Sequence, residues 1–73
     1  MNEAKKAFEI IEARGIKVGD RIRIIELKDD PDTSYNGREG VIDFIDSMGQ
    51  LHGTWGGLGV IVGVDRFTVL PKE

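Results

Sequence analysis

Cysteine is absent from the 73 residues, and histidine occurs once, as His52. Without cysteine there are no disulfides, thiolate zinc sites or cysteine nucleophiles, and the chain suits a reducing cytosol. Ser34 and Ser47 fall in turn-forming stretches, outside any nucleophile motif such as Gly-x-Ser-x-Gly. Paired carboxylates occur by composition alone. With no nucleophile–base or metal constellation, the chain is expected to be no enzyme and to use no cofactor. Long apolar runs are missing too. Residues 1–14 are broken by Glu3, Lys5, Lys6, Glu9, Glu12 and Arg14, unlike a secretory signal. No stretch approaches the roughly 20 residues that span a bilayer. The expected location is cytoplasmic, with no membrane partner.

Aromatic residues and net positive charge are also in short supply. Three Phe, one Tyr and one Trp leave no aromatics to line a groove for proline-rich peptides once a core is filled. Ten Lys and Arg stand against 13 Asp and Glu, a net charge of −3, which disfavours a domain built around a phosphate backbone. The length allows one domain, which buries only about 60% of its unfolded surface.

What is present has a clear period. Ala4, Ala7, Phe8 and Ile11 follow helical spacing. Asn2 can cap the start of that helix, and Gly15 can close its end with Ile16 folding back onto Ile11. After Lys17 the period becomes two: Val18, Ile22 and Ile24 on one strand face, Arg21 and Arg23 on the other. Ile25 and Leu27 fall out of phase, the mark of a bulge or bend. Residues 28–37 are dense in turn formers. Further strands are expected over 40–46, 50–55, 58–62 and 66–70, with turns at Ser47-Met48-Gly49, Gly56-Gly57 and Gly63-Val64-Asp65. Ile22, Ile24, Ile42, Phe44, Leu51, Trp55, Phe67 and Val69 are expected to share one core. The architecture is mainly β: a small five-stranded antiparallel SH3-like barrel, residues 17–73, led by a helix and its cap over residues 1–16.

Particular residues carry a family resemblance. Gly19-Asp20-Arg21-Ile22-Arg23, Gly37-Arg38-Glu39-Gly40-Val41-Ile42, Ile45-Asp46, Gly49-Gln50-Leu51-His52, Trp55 and Gly63-Val64-Asp65-Arg66-Phe67 together resemble a short SH3-like barrel family of bacteria and their phages or mobile elements. That family is catalogued only as a domain of unknown function. More distantly, a Gly-Asp-Arg strand followed by a Gly-x-x-Gly turn is similar to KOW-type barrels of ribosomal and transcription proteins. The chain departs from the family in its short Gly56-Gly57 turn and in Val62, where proline is common. The resemblance implies an architecture and brings no established activity.

Three constellations remain. Asp32, Ser34, Asn36, Gly37 and Asp43 partly match a calcium loop, but Glu39 stands at an apolar anchor position and the flanks read as loop and strand. Asp29, Asp30 and Asp32 make no better cation site. Gly53, Gly56, Gly57 and Gly59 lack phosphate-loop spacing and read as turn and corner glycines. The third is a candidate binding patch. Arg21 and Arg23 share a face of the first strand, Arg66 sits on the neighbouring fifth, and Arg38 and Tyr35 belong to the long loop, with Asp20, Asp43 and Asp65 able to neutralise the arginines. The expected function is a non-enzymatic binding or accessory module for an unknown protein partner. The alternative is a KOW-like module contacting RNA or DNA through the arginines. An acid-free arginine patch would favour nucleic acid, and an exposed apolar groove would favour protein.

Overall fold

The computed structural model describes residues 3–28 and 33–71; Asn2, Asp29, Asp30 and Asp32, singled out above, lie outside them. Helix α1 (Glu3–Arg14) is followed by strands β1 (Arg21–Glu26), β2 (Glu39–Ile45), β3 (Gln50–Gly53), β4 (Gly56–Ile61) and β5 (Arg66–Val69), with a 3-10 turn at Thr33–Tyr35 before β2. All strand pairs are antiparallel. They form one sheet in the order β4-β3-β2-β1-β5. The class read from the sequence, mainly β with one leading helix, is the one found. No helix among the described residues is long and apolar enough to cross a membrane.

The helix ends as its sequence dictates. Gly15 takes φ +67°, its N–H donates to the Glu12 carbonyl, and the Ile16 N–H donates to the Ile11 carbonyl at 3.0 Å. This is a Schellman closure, and it folds Ile16 into the core beside Ile11. A helix of 12 residues is marginal alone in water, so its stability comes from docking. Ala7 and Ile11 are buried and Ile10 packs against the core. A methyl at Gly49 would sit 2.7 Å from the Ala7 Cβ, which explains why the turn before β3 has glycine there. Arg14 lies over the Phe67 ring, 5.1 Å from its centroid. Phe8, expected on the apolar stripe, is instead 41% exposed; Ile10 takes its place.

The strands turn on bulges. Ile24 faces Phe67 and Glu26 faces Arg66, with a register shift between them. Ile25 is the extra residue, turned outward, and Leu27 returns to the core. This is the phase change legible in the sequence. A second shift lies between Ile42 and Phe44 and overturns one core assignment. Asp43 is extra, so Ile45 follows Ile42 inward while Phe44 turns out and is 53% exposed. Val18 is likewise 54% exposed, in the turn before β1 and off its inward face.

The hairpin after β3 also differs from expectation. Gly53 pairs with Gly56, so Thr54 and Trp55 make the turn and Gly56-Gly57 opens β4. Trp55 is buried from this turn, its indole N–H donating to the Leu58 carbonyl at 2.8 Å. Gly40 and Gly53 lie against the ring, and a side chain at either would collide with it. Thr54 secures the turn to β2, its Oγ1 accepting the Val41 N–H at 2.9 Å.

Candidate functional site

The arginines named from sequence do not form one patch. Arg23 faces Glu39 across the β1–β2 ladder, and its guanidinium donates to Glu39 through Nε and Nη2, the latter at 2.9 Å. Arg21 reaches the same carboxylate, Nε to Oε1 at 3.5 Å. Glu39 therefore sits between the two cations. The Arg23 hydrogen bond, followed by the charges of Arg23 and Arg21, holds its carboxyl below the ordinary 4.5.

Arg38, one residue before β2, reaches the Trp55 turn and not Glu39. There Arg38 stacks on Tyr35, 4.3 Å from the ring centroid, and donates to the carbonyls of Trp55 at 2.9 Å and Ser34 at 3.0 Å. Arg38 and Tyr35 thus brace the Trp55 turn. Arg66 stands opposite Glu26 in the β1–β5 register.

The expected neutralisers have other tasks. Asp20 is buried and accepts the Lys17 N–H at 3.0 Å. Asp65 accepts the N–H groups of Lys28 and Ile61, each at 2.8 Å, tying β4 to the end of β1. Asp43 is exposed at the β2 bulge. The acid that tempers the arginines is Glu39, set opposite Arg23 by a register that no local pattern reveals.

On the outer face of β2, β3 and β4 the structure assembles a different group. Phe44 and His52 are cross-strand partners. Their rings stack with centroids 4.5 Å apart and planes 9° from parallel. His52 Nε2 lies 2.7 Å from Asp46 Oδ2. Asp46 Oδ1 accepts the N–H groups of Met48 and Gln50, both at 2.9 Å. The His52 hydrogen bond, then that of Gln50, keeps the Asp46 carboxyl below its ordinary 3.8. Asp46 at the head of a turn ending in Gly49 is a sequence signal for such side-chain capping. Nothing local pointed to its use of His52.

A cleft of about 310 Å³ adjoins this group between α1 and the end of β4, and Gln50 borders both. Ala7, Ile61, Val62, Met48 and Val64 supply its apolar walls, with Lys6 at the helix side. Met48 and Val64 are 54% and 40% exposed, and both border this one cleft. Among the described residues, no group of three or more His, Cys, Asp or Glu side chains is placed to hold a metal ion.

Residues 9–70 match the model of a family described as Domain of unknown function (DUF4314). The chain belongs to this family. Searches of curated proteins and of solved structures each returned no match. The DUF4314 match takes in all five strands and the second half of α1. It therefore includes the Phe44–His52–Asp46 group and every wall of the cleft except Ala7 and Lys6.

Proposed function

We propose that this DUF4314 domain is a non-enzymatic binding module whose ligand is another protein, seated at the cleft between α1 and β4. The cleft itself carries the proposal. It is apolar, open to solvent and rimmed by Met48 and Val64, and burying such side chains is the main gain on association. The competing reading, RNA or DNA on the arginines, is weakened by Glu39 between Arg21 and Arg23 and by the net charge of −3. Arg38 is committed to holding the Trp55 turn.

The test compares immobilised wild type with a Met48→Asp/Val64→Asp double variant in cell lysate with and without nuclease treatment. Both positions are exposed, so the variant keeps its fold, which circular dichroism checks. Proteins retained by wild type and lost from the variant support the reading. Equal retention by both, or retention that disappears with nuclease treatment, overturns it.

A further inference from the structure

We infer that the Phe44–His52 stack is a receptor for a guanidinium group, so that the partner presents an arginine next to the apolar residue that enters the cleft. The inference rests on the protein-binding reading above and adds the chemistry of the partner.

The first support is the direction of the His52 lone pair. An ionised carboxylate only accepts hydrogen bonds, so the 2.7 Å contact with Asp46 Oδ2 places the ring proton on Nε2. In the neutral ring Nδ1 is then an acceptor. Nδ1 and Gln50 Oε1 both flank the Cα of Gly59: a methyl there would lie 3.4 Å from Nδ1 and 3.0 Å from Oε1. Both acceptors thus border one backbone position that carries no side chain. A guanidinium, with several N–H donors in a planar fork, matches such a pair.

The second support is the ring surface. Phe44 is 53% exposed although it is held by a stack, and a planar cation gains by lying on an aromatic face. The third is charge. Asp46 lies behind His52, and Asp43, exposed, directly precedes Phe44. Among the described residues Asp43 has no ion pair and Asp46 has none besides His52. Among the described residues the only cation lining the cleft is Lys6, on the helix side. The surface is therefore polarised, acidic at the Phe44 end and basic at the Lys6 end, which fixes the direction in which a partner lies. Gln50 belongs to both halves, lining the cleft and flanking His52.

The experiment is an NMR titration of the full chain with three probes: acetyl-leucyl-arginine amide, its citrulline counterpart, and adenosine monophosphate. Citrulline keeps the shape of arginine and removes the charge. The expected result is saturable shifts of the Phe44 and His52 ring signals with the arginine peptide, about tenfold weaker binding for citrulline, and loss of the ring shifts in Gln50→Met. Shifts of Met48 and Val64 methyls report on the cleft separately. Methyl shifts without ring shifts, or equal binding of arginine and citrulline, overturn the guanidinium assignment and leave the cleft reading standing. No shift at either place overturns both. Ring shifts with adenosine monophosphate and none with the peptide overturn the assignment in favour of nucleotide stacking.

Discussion

The imidazole of His52 lies flat on the ring of Phe44, centroids 4.5 Å apart, on the solvent side of the β2–β3 ladder. An aromatic ring that alternation alone places in the core therefore serves the surface. Cross-strand pairs of this kind contribute roughly 0.2–1 kcal/mol. Phe44→Ala should cost about 1 kcal/mol, far below the 3–5 kcal/mol typical of a buried Phe. Ile42→Ala, two positions away and buried, should cost about 2–5 kcal/mol. Chemical denaturation of the two variants checks the order, and a Phe44→Ala loss as large as that of Ile42→Ala would return Phe44 to the core.

That misplacement shows where local pattern stops being informative. The Gly15–Ile16 closure was legible because every group in it lies within six residues. The β1 bulge was legible because Ile24, Ile25 and Leu27 cannot share one strand face. In β2 the doublets Val41-Ile42 and Phe44-Ile45 are compatible with either face, and only pairing with β3 decides that Ile45 goes in. Trp55 belongs to the expected core, but a turn with a buried tryptophan needs Gly40 and Gly53 beneath the ring, and the sequence does not join those positions. Arg21, Arg23 and Arg66 fall within expected strands. The pairing of Arg21 and Arg23 with Glu39 depends on the β1–β2 register, which neither strand's own residues specify.

Gly15 offers a test of backbone conformation alone. Its φ is +67°, and a methyl there would meet nothing within 4 Å. Gly15→Ala therefore changes no packing and should cost about 1–2 kcal/mol, the penalty of the left-handed region for a residue with a Cβ. Thermal melting checks this, and an unchanged midpoint would remove the Schellman closure from the account of helix stability.

Asp46 makes stability depend on acidity. Its carboxyl titrates below the ordinary 3.8 because His52 and the Gln50 N–H favour the anion. A group with a depressed folded value contributes above its unfolded value, and that contribution is lost as pH falls through the folded one. Stability from this group is thus complete above about pH 5 and drains away below it. Asp46→Asn should remove this part of the acid transition. His52→Gln should raise the Asp46 titration midpoint, followed by carboxyl-carbon NMR, towards 3.8. A midpoint that does not move would show that the backbone donors alone hold the anion.

Arg38 and Arg21 should behave differently on truncation although both were candidates for one patch. Arg38→Ala removes the stack on Tyr35 and the hydrogen bond to the Trp55 carbonyl, a part-buried contact whose loss should cost about 1–3 kcal/mol. Arg21 is well exposed beside Glu39, and screened surface pairs contribute little, so Arg21→Ala should leave the denaturation midpoint nearly unchanged. Equal effects would mean that the Trp55 turn does not depend on Arg38.

Glu39 supplies the sharpest test of the nucleic-acid alternative. Its carboxylate is shared between Arg21 and Arg23, so the pair presents two cations and one anion to any phosphate. Wild type should show no binding to mixed RNA or DNA at low salt, where screening is least. Glu39→Gln keeps the side-chain shape and frees both guanidinium groups, which can then hold phosphate oxygens. Any affinity it gains should be weak, indifferent to sequence and steeply reduced by salt, because phosphate contacts release counterions and do not read bases. Fluorescence anisotropy at two salt concentrations measures this directly. Salt-sensitive binding by wild type, abolished in Arg21→Ala/Arg23→Ala, would reverse the ranking of the two functions, since it would mean that a phosphate displaces Glu39 from both arginines at once.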